Sequence, residues 1–211
     1  MKYIIMCGGA YEGWDKPKAV YPVNGEPIVA RTIRLLRAVG VNNIAISIPD
    51  GVEELDKFGV PVLKHNNRYG HGGRWLEAFY PIHEPVCYLY GDVIYSPEAI
   101  KQIVETDTDC IEFFASCPPY GPGYIKHWEE PMAYKVKNTR IFWHSIEMAK
   151  YYADLGLFHR EPVSWELWQV IKGTPLDEVR YNYTVVNDYS CDVDSLEDIE
   201  RIGEWIRCNC Q

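Results

Sequence analysis

Apolar, β-branched runs alternate with segments of helical periodicity, and this alternation limits the chain's fold more than any other feature. Tyr3–Met6 is a short apolar run that ends at Gly8-Gly9. Gly8–Asn24 carries Gly, Pro and charges without a period and reads as a loop. Ile28, Val29, Ile33, Leu36 and Val39 then fall on one helical face, with Gly40 where a helix-ending glycine belongs. Residues 43–48, "NIAISI", form a second buried strand. Strand, glycine loop, helix and strand make a βαβ unit.

The alternation continues. Short helices are expected at Glu53–Phe58 and Gly73–Tyr80, and strands at Val60–Lys64, Val86–Tyr90 and Cys110–Ala115. A helix at Pro97–Thr106 has proline in its first turn. The pattern breaks over Cys117–Thr139, where "PMAYKVKN" reads as a strand. Helices are expected at Glu147–Leu157 and Val163–Ile171, and extended pieces at Thr184–Val186 and Ser190–Val193. Ser195 should cap a last helix. Such an order predicts a three-layer α/β/α fold with a mostly parallel sheet, and in such sheets ligands sit beyond the carboxyl ends of the strands. All 211 residues are expected to make a single domain, with an irregular segment around 117–180.

A net charge of −9 argues against a protein that coats nucleic acid. It leaves room for a local cationic pocket. No apolar run approaches the ~20 residues of a membrane-spanning helix. The chain reads as a strand almost from its first residue, which predicts no signal peptide, and a reducing cytoplasm is the expected compartment. Cys208 and Cys210 form a C-x-C without nearby histidines, a weak metal signal.

Three pieces carry chemistry. Gly8-Gly9 lets backbone N–H groups approach an anion, and Lys16 and Lys18 supply positive charge; an ordinary turn with solvated lysines reads equally well. Asp92 directly follows a buried strand and lies too far from Pro97 to cap the next helix. Asp192 and Asp194 are two apart in an extended stretch, which would aim both at one face, where a cation would relieve their repulsion. A capped acidic helix start explains part of the same pattern. Three carboxylates together are hard oxygen ligands of the kind Mg²⁺ takes alongside substrate phosphates.

With these residues in view, the chain resembles nucleotidyltransferases of the Rossmann-like, GT-A-like nucleotide-diphospho-sugar transferase fold. These include MobA-like NTP transferases and choline-phosphate cytidylyltransferases. "IIMCGG", "KPKAV", "NGEPIVARTI" and "DVDSLEDI" carry the resemblance, in family order and spacing. It implies catalytic Lys18, with Lys16 beside it, and nucleotide binding by Gly8, Gly9, Ala10 and, from "YGHGG", Gly70 and Gly72. It also implies Mg²⁺ on Asp92, Asp192 and Asp194. The family loop usually carries an arginine that "GGAYEGWDKPK" lacks.

The implied reaction joins an NTP to a phosphorylated small molecule, a sugar 1-phosphate or a phosphocholine-like acceptor, with release of pyrophosphate. The acceptor is expected near Tyr120, Tyr124, Trp165 and Glu166, although the Trp165–Trp168 pair reads equally as helix core. The protein would act as a monomer or homodimer, apart from nucleic acid and membranes. Two alternatives stand: a glycosyltransferase of the same fold, disfavoured by the single aspartate in "YGDVIYS", and a nucleotide-binding regulator that has lost turnover.

Overall fold

The computed structural model describes residues 1–8, 14–50, 53–65, 74–118, 120–122, 129–176 and 182–210. In chain order the elements are β1 (Lys2–Met6), β2 (Pro22–Val23), β3 (Glu26–Pro27), α1 (Ile28–Ala38), β4 (Ile44–Pro49), β5 (Val62–His65), β6 (Val86–Tyr90), β7 (Val93–Ile94) and α2 (Pro97–Glu105). There follow β8 (Ile111–Ser116), β9 (Pro131–Val136), α3 (Thr139–Asp154), α4 (Ser164–Lys172), β10 (Thr184–Val186), β11 (Cys191–Asp192) and α5 (Leu196–Asn209).

Seven strands make the central sheet, in the order β10-β8-β9-β6-β1-β4-β5. All its pairings are parallel except the two made by β9, which runs antiparallel between β6 and β8. The helices complete the α/β/α layers expected from the alternation. β4 and β6 are buried at every position, which is why "IAISI" and "VCYLY" are apolar without alternation. α1 buries Ile28, Val29, Ile33, Leu35 and Leu36, and the chain leaves it through Gly40 at φ +86°.

Local chemistry sets the element ends. Ser96 Oγ accepts the Ala99 N–H at 2.8 Å to start α2. Ser195 Oγ accepts the Asp198 N–H at 3.2 Å, while the Asp198 carboxylate accepts the Ser195 N–H at 3.1 Å, a reciprocal cap for α5.

Several expectations need correction. Glu53–Phe58 is a series of turns, because six residues bounded by Gly59 at φ +68° are too few to sustain a helix. Over residues 74–78 the helix is 3₁₀, closed off before Pro81. α3 starts at Thr139 rather than Glu147, since the Asn138 side chain accepts the Ile141 N–H at 3.1 Å and caps a turn rich in aromatic and β-branched residues. Gly8–Asn24 is also more than loop. It holds a 3₁₀ turn at Lys18–Val20 and the strand β2, which pairs with β3 across Asn24 (φ +51°) and Gly25 (φ +85°). Asn-Gly is the sequence that a two-residue hairpin turn favours.

Candidate active site

β1, β4 and β6 end together at one rim. Cys7 N–H donates to Ser47 O at 2.8 Å, and Gly91 N–H donates to Met6 O at 2.9 Å. At Gly91 a Cβ would lie 2.5 Å from Met6 O and 2.7 Å from Cys7 Sγ, so only glycine fits there. That tight passage sets Asp92 against the loop that follows β1.

Lys18 opens the 3₁₀ turn beneath α1, and its Nζ lies 3.6 Å from Asp92 Oδ2. Both side chains are partly shielded, at 18% and 34% exposure. The Lys18 ammonium also lies 5.7 Å from the Trp14 ring centre. Lys16 is placed differently: its ammonium sits over the Tyr21 ring at 4.4 Å. Tyr21 in turn meets the Trp14 edge at 4.8 Å and donates its hydroxyl to Asp15. The structure therefore brings Lys18 to the acid and parks Lys16 on an aromatic face.

The third carboxylate arrives from the far end of the chain. β11 pairs antiparallel with β7, opposing Asp192 to Val93, and Val193 N–H donates to Asp92 O at 3.0 Å. Asp192 is buried, and its Oδ1 accepts the Tyr120 hydroxyl at 2.9 Å. Asp194 does not share that setting. The extended stretch ends at Asp192, and Asp194 is exposed, its N–H donating to Asp198 Oδ2 at 3.0 Å as part of the α5 cap. The two aspartates thus differ in burial, with the Asp194 backbone drawn into the helix cap.

Negative potential gathers here. Burial first, then the charges of Asp192, Glu130 and Cys191, push the Tyr120 hydroxyl far above its ordinary pKa. Burial raises Tyr90 as well, and Asp92 and Glu130 add to the rise against the hydrogen bond with Ser164. Cys7 is raised by burial and by Asp92. Glu130 escapes the sequence reading because it belongs to no motif. Two hydrogen bonds with Ser116 (Ser116 N–H to Glu130 O, Glu130 N–H to Ser116 Oγ, both 2.9 Å) fix it just before β9. Tyr90, stacked on Trp75 with ring centres 5.8 Å apart, likewise reads in the sequence only as strand core.

Among the described residues no group of three or more His, Cys, Asp or Glu gathers as a metal cage. Mg²⁺ typically needs only one or two carboxylates with phosphate and water. Asp92 offers one such carboxylate on the rim, partly exposed and with Lys18 balancing its charge at 3.6 Å. Asp192 is a second acid carried to this rim by the β7–β11 pairing, with the Cys191 thiol 3.9 Å from its Oδ1.

Of the acceptor candidates, Tyr120 lies on Asp192. Trp165 and Trp168 are core, and Trp165 packs edge-on to Phe113 and Tyr183 at 5.1 and 5.3 Å. The Glu166 carboxylate accepts from Arg160 Nε at 2.7 Å and from the Val163 N–H at 2.9 Å, holding the start of α4. Gly9, Ala10, Gly70, Gly72 and Tyr124 lie outside the described residues.

Comparison with solved structures finds the same fold along nearly the whole chain. HddC from Yersinia pseudotuberculosis, complexed with GMP-PN, is 17% identical, with TM-score 0.57, covering 96% of this chain and 98% of that one. The inositol-1-phosphate CTP transferase from T. maritima is 16% identical, with TM-score 0.58, over 97% and 96%. The 2-C-methyl-D-erythritol 4-phosphate cytidylyltransferase from Thermus thermophilus is 14% identical, with TM-score 0.59, over 98% of both. No curated protein sequence matches the chain. The MobA-like NTP transferase domain model matches residues 3–138, a span that holds the glycine turn, Lys18 and Asp92. Matched over more than half its length, with its lysine and aspartate meeting at the rim, the chain belongs to the MobA-like NTP transferase family and is a nucleotidyltransferase.

Proposed function

We propose that the enzyme moves a nucleotidyl group from an NTP to a phosphorylated small molecule, a sugar 1-phosphate or a phosphocholine-like compound. An acceptor phosphate oxygen bonds to the α-phosphorus, the bond from that phosphorus to the bridging oxygen breaks, and pyrophosphate leaves with the electron pair. The acceptor is already an anion, so no general base is required. Two of the fold's structural relatives support the acceptor class, being transferases named for phosphorylated small molecules.

The observation that carries this reading is the Lys18–Asp92 contact at 3.6 Å on the rim where β1 and β6 end. Lys18 neutralises phosphate charge, worth most in the transition state where that charge is shared. Backbone N–H groups of the loop at Gly8, Gly9 and Ala10 bind phosphate oxygens, and Gly70 and Gly72 flank the base. Mg²⁺, held by Asp92 and Asp192 with Asp194 at the edge, would supply Lewis-acid charge and orient the phosphates. Tyr120 holds the Asp192 carboxylate in one orientation, and residues 117–180 form the acceptor side of a single domain. The enzyme works in a reducing cytoplasm; among the described residues no disulfide joins any of the seven cysteines.

The test is pyrophosphate release with each of four NTPs, Mg²⁺ and a panel of sugar 1-phosphates and phosphocholine. One NTP should give acceptor-dependent release, and Asp92→Ala and Lys18→Ala should each lower it by roughly 100-fold or more with the fold intact. Silence with every pair, together with no thermal stabilisation by any NTP, overturns the reading.

A further inference from the structure

α3 carries an apolar stripe that faces away from the core. Its inner face buries Phe142, Ser145, Ile146 and Ala149. On the side facing solvent, Ile141 is 42% exposed, Tyr151 55% and Leu155 54%. His144 is exposed between them and Met148 is half-buried. Ile141, His144, Met148, Tyr151 and Leu155 recur at alternating spacings of three and four, the spacing of a helix seam that packs on another helix. Just past the helix, Leu157 is 51% exposed and extends the patch.

The stripe is symmetric about its middle to within one residue. Ile141 stands seven residues before Met148 and Leu155 seven after; His144 stands four before and Tyr151 three after. A two-fold axis at Met148 would lay the stripe on itself, antiparallel. Ile141 would then meet Leu155 of a second copy, His144 would meet Tyr151, and Met148 would meet its own equivalent. Self-complementarity of this kind is what a two-fold interface requires.

The charges beside the stripe fit the same operation. Arg140 lies in the first turn of α3 and Asp154 is its last residue, and α3 has no acid in its first turn and no base in its last. Both charges oppose the helix dipole within one molecule. Antiparallel pairing sets the Arg140 end of one helix beside the Asp154 end of the other, twice over. Glu147, one place from the axis, is neutralised within its own chain by Lys150 at 3.2 Å.

We propose that the outer face of α3 is a homodimer interface, two α3 helices packing antiparallel about Met148. One helix pair makes a small interface, so the dimer should be weak and reversible, with Kd on the order of 10 μM.

Sedimentation velocity of the full chain from about 1 to 200 μM reads the equilibrium directly. Wild type should shift from monomer to dimer across that range. Arg140→Glu and Asp154→Arg should each weaken dimerisation roughly tenfold, by setting like charges opposite one another. The double variant, with both charges exchanged, should return to wild-type affinity. In a Cys208→Ser, Cys210→Ser background, Met148→Cys should form an interchain disulfide under mild oxidation. Circular dichroism and thermal melting confirm that each variant folds. A chain that stays monomeric throughout overturns the proposal. So does a dimer indifferent to the single charge changes, or a double variant no better than the singles.

Discussion

At the scale of single residues, the rim depends on one missing methyl group. Gly91 passes so close to Met6 O and Cys7 Sγ that any side chain would force β6 away from β1. Gly91→Ala should destabilise the protein by about 3 kcal/mol, measured by urea denaturation, and should lower pyrophosphate release even at temperatures where the variant stays folded. In the sequence this glycine is visible only as the residue before Asp92. A contact between residues 6 and 91 has no local signature. Lys18 and Asp92 are legible because motif and strand end both point to them. Glu130 and Tyr90 are not, since their part comes from which carboxylates the fold brings near them. Asp194 shows what spacing alone leaves out: it stands two residues from Asp192, yet it is exposed and its N–H belongs to the α5 cap.

At the scale of elements, two fastenings lie outside the site. Lys135 on β9 is buried, and its ammonium donates to Ile103 O, Val104 O and Thr106 O at 3.0, 2.8 and 2.5 Å. It thereby satisfies the carbonyls at the end of α2, where a cation also suits the dipole. Lys135→Met keeps most of the side-chain bulk and removes the donor, so it should destabilise by about 2–3 kcal/mol in the same denaturation assay. The β2–β3 hairpin is tied to α1 by Glu26, whose carboxylate takes both Arg34 Nε and Nη2 at 2.7 and 2.8 Å. The Arg34 hydrogen bonds hold the Glu26 pKa below 4.5, burial opposing them. A carboxyl lowered in the folded state contributes stability above its unfolded pKa and loses it as pH falls through the folded value. The stability difference between wild type and Glu26→Gln should therefore be constant above pH 4.5 and shrink as pH drops further, as followed by thermal melts across an acid series.

Elements of this kind are unevenly readable. The buried strands and α1 announce themselves, because a doubly covered strand must be apolar throughout. The start of α3 does not: its first turns mix aromatic and β-branched residues, and the Asn138 cap outweighs their weak helix propensity. The Asn24-Gly25 hairpin is fully written in the sequence and simply lies within a stretch that reads as loop.

At the scale of the whole molecule, a chain of net charge −9 sets a lysine-bearing turn against an aspartate at the rim of its sheet. The sheet order explains how. β1 lies between β4 and β6, so the first strand made becomes an interior strand of the finished sheet, beside the central β6. The parallel arrangement follows from alternation, whereas the reversed strand β9 comes only with the fold. The two-residue ribbon of β7 and β11 has a further consequence, for the chain as it leaves the ribosome. Val93 emerges early, but the partner that steadies it, Asp192, is translated roughly a hundred residues later. A nascent chain can pair β1, β4, β5 and β6 and still lack the strand that steadies Val93, so this ribbon closes only once residues 191–193 are free to fold.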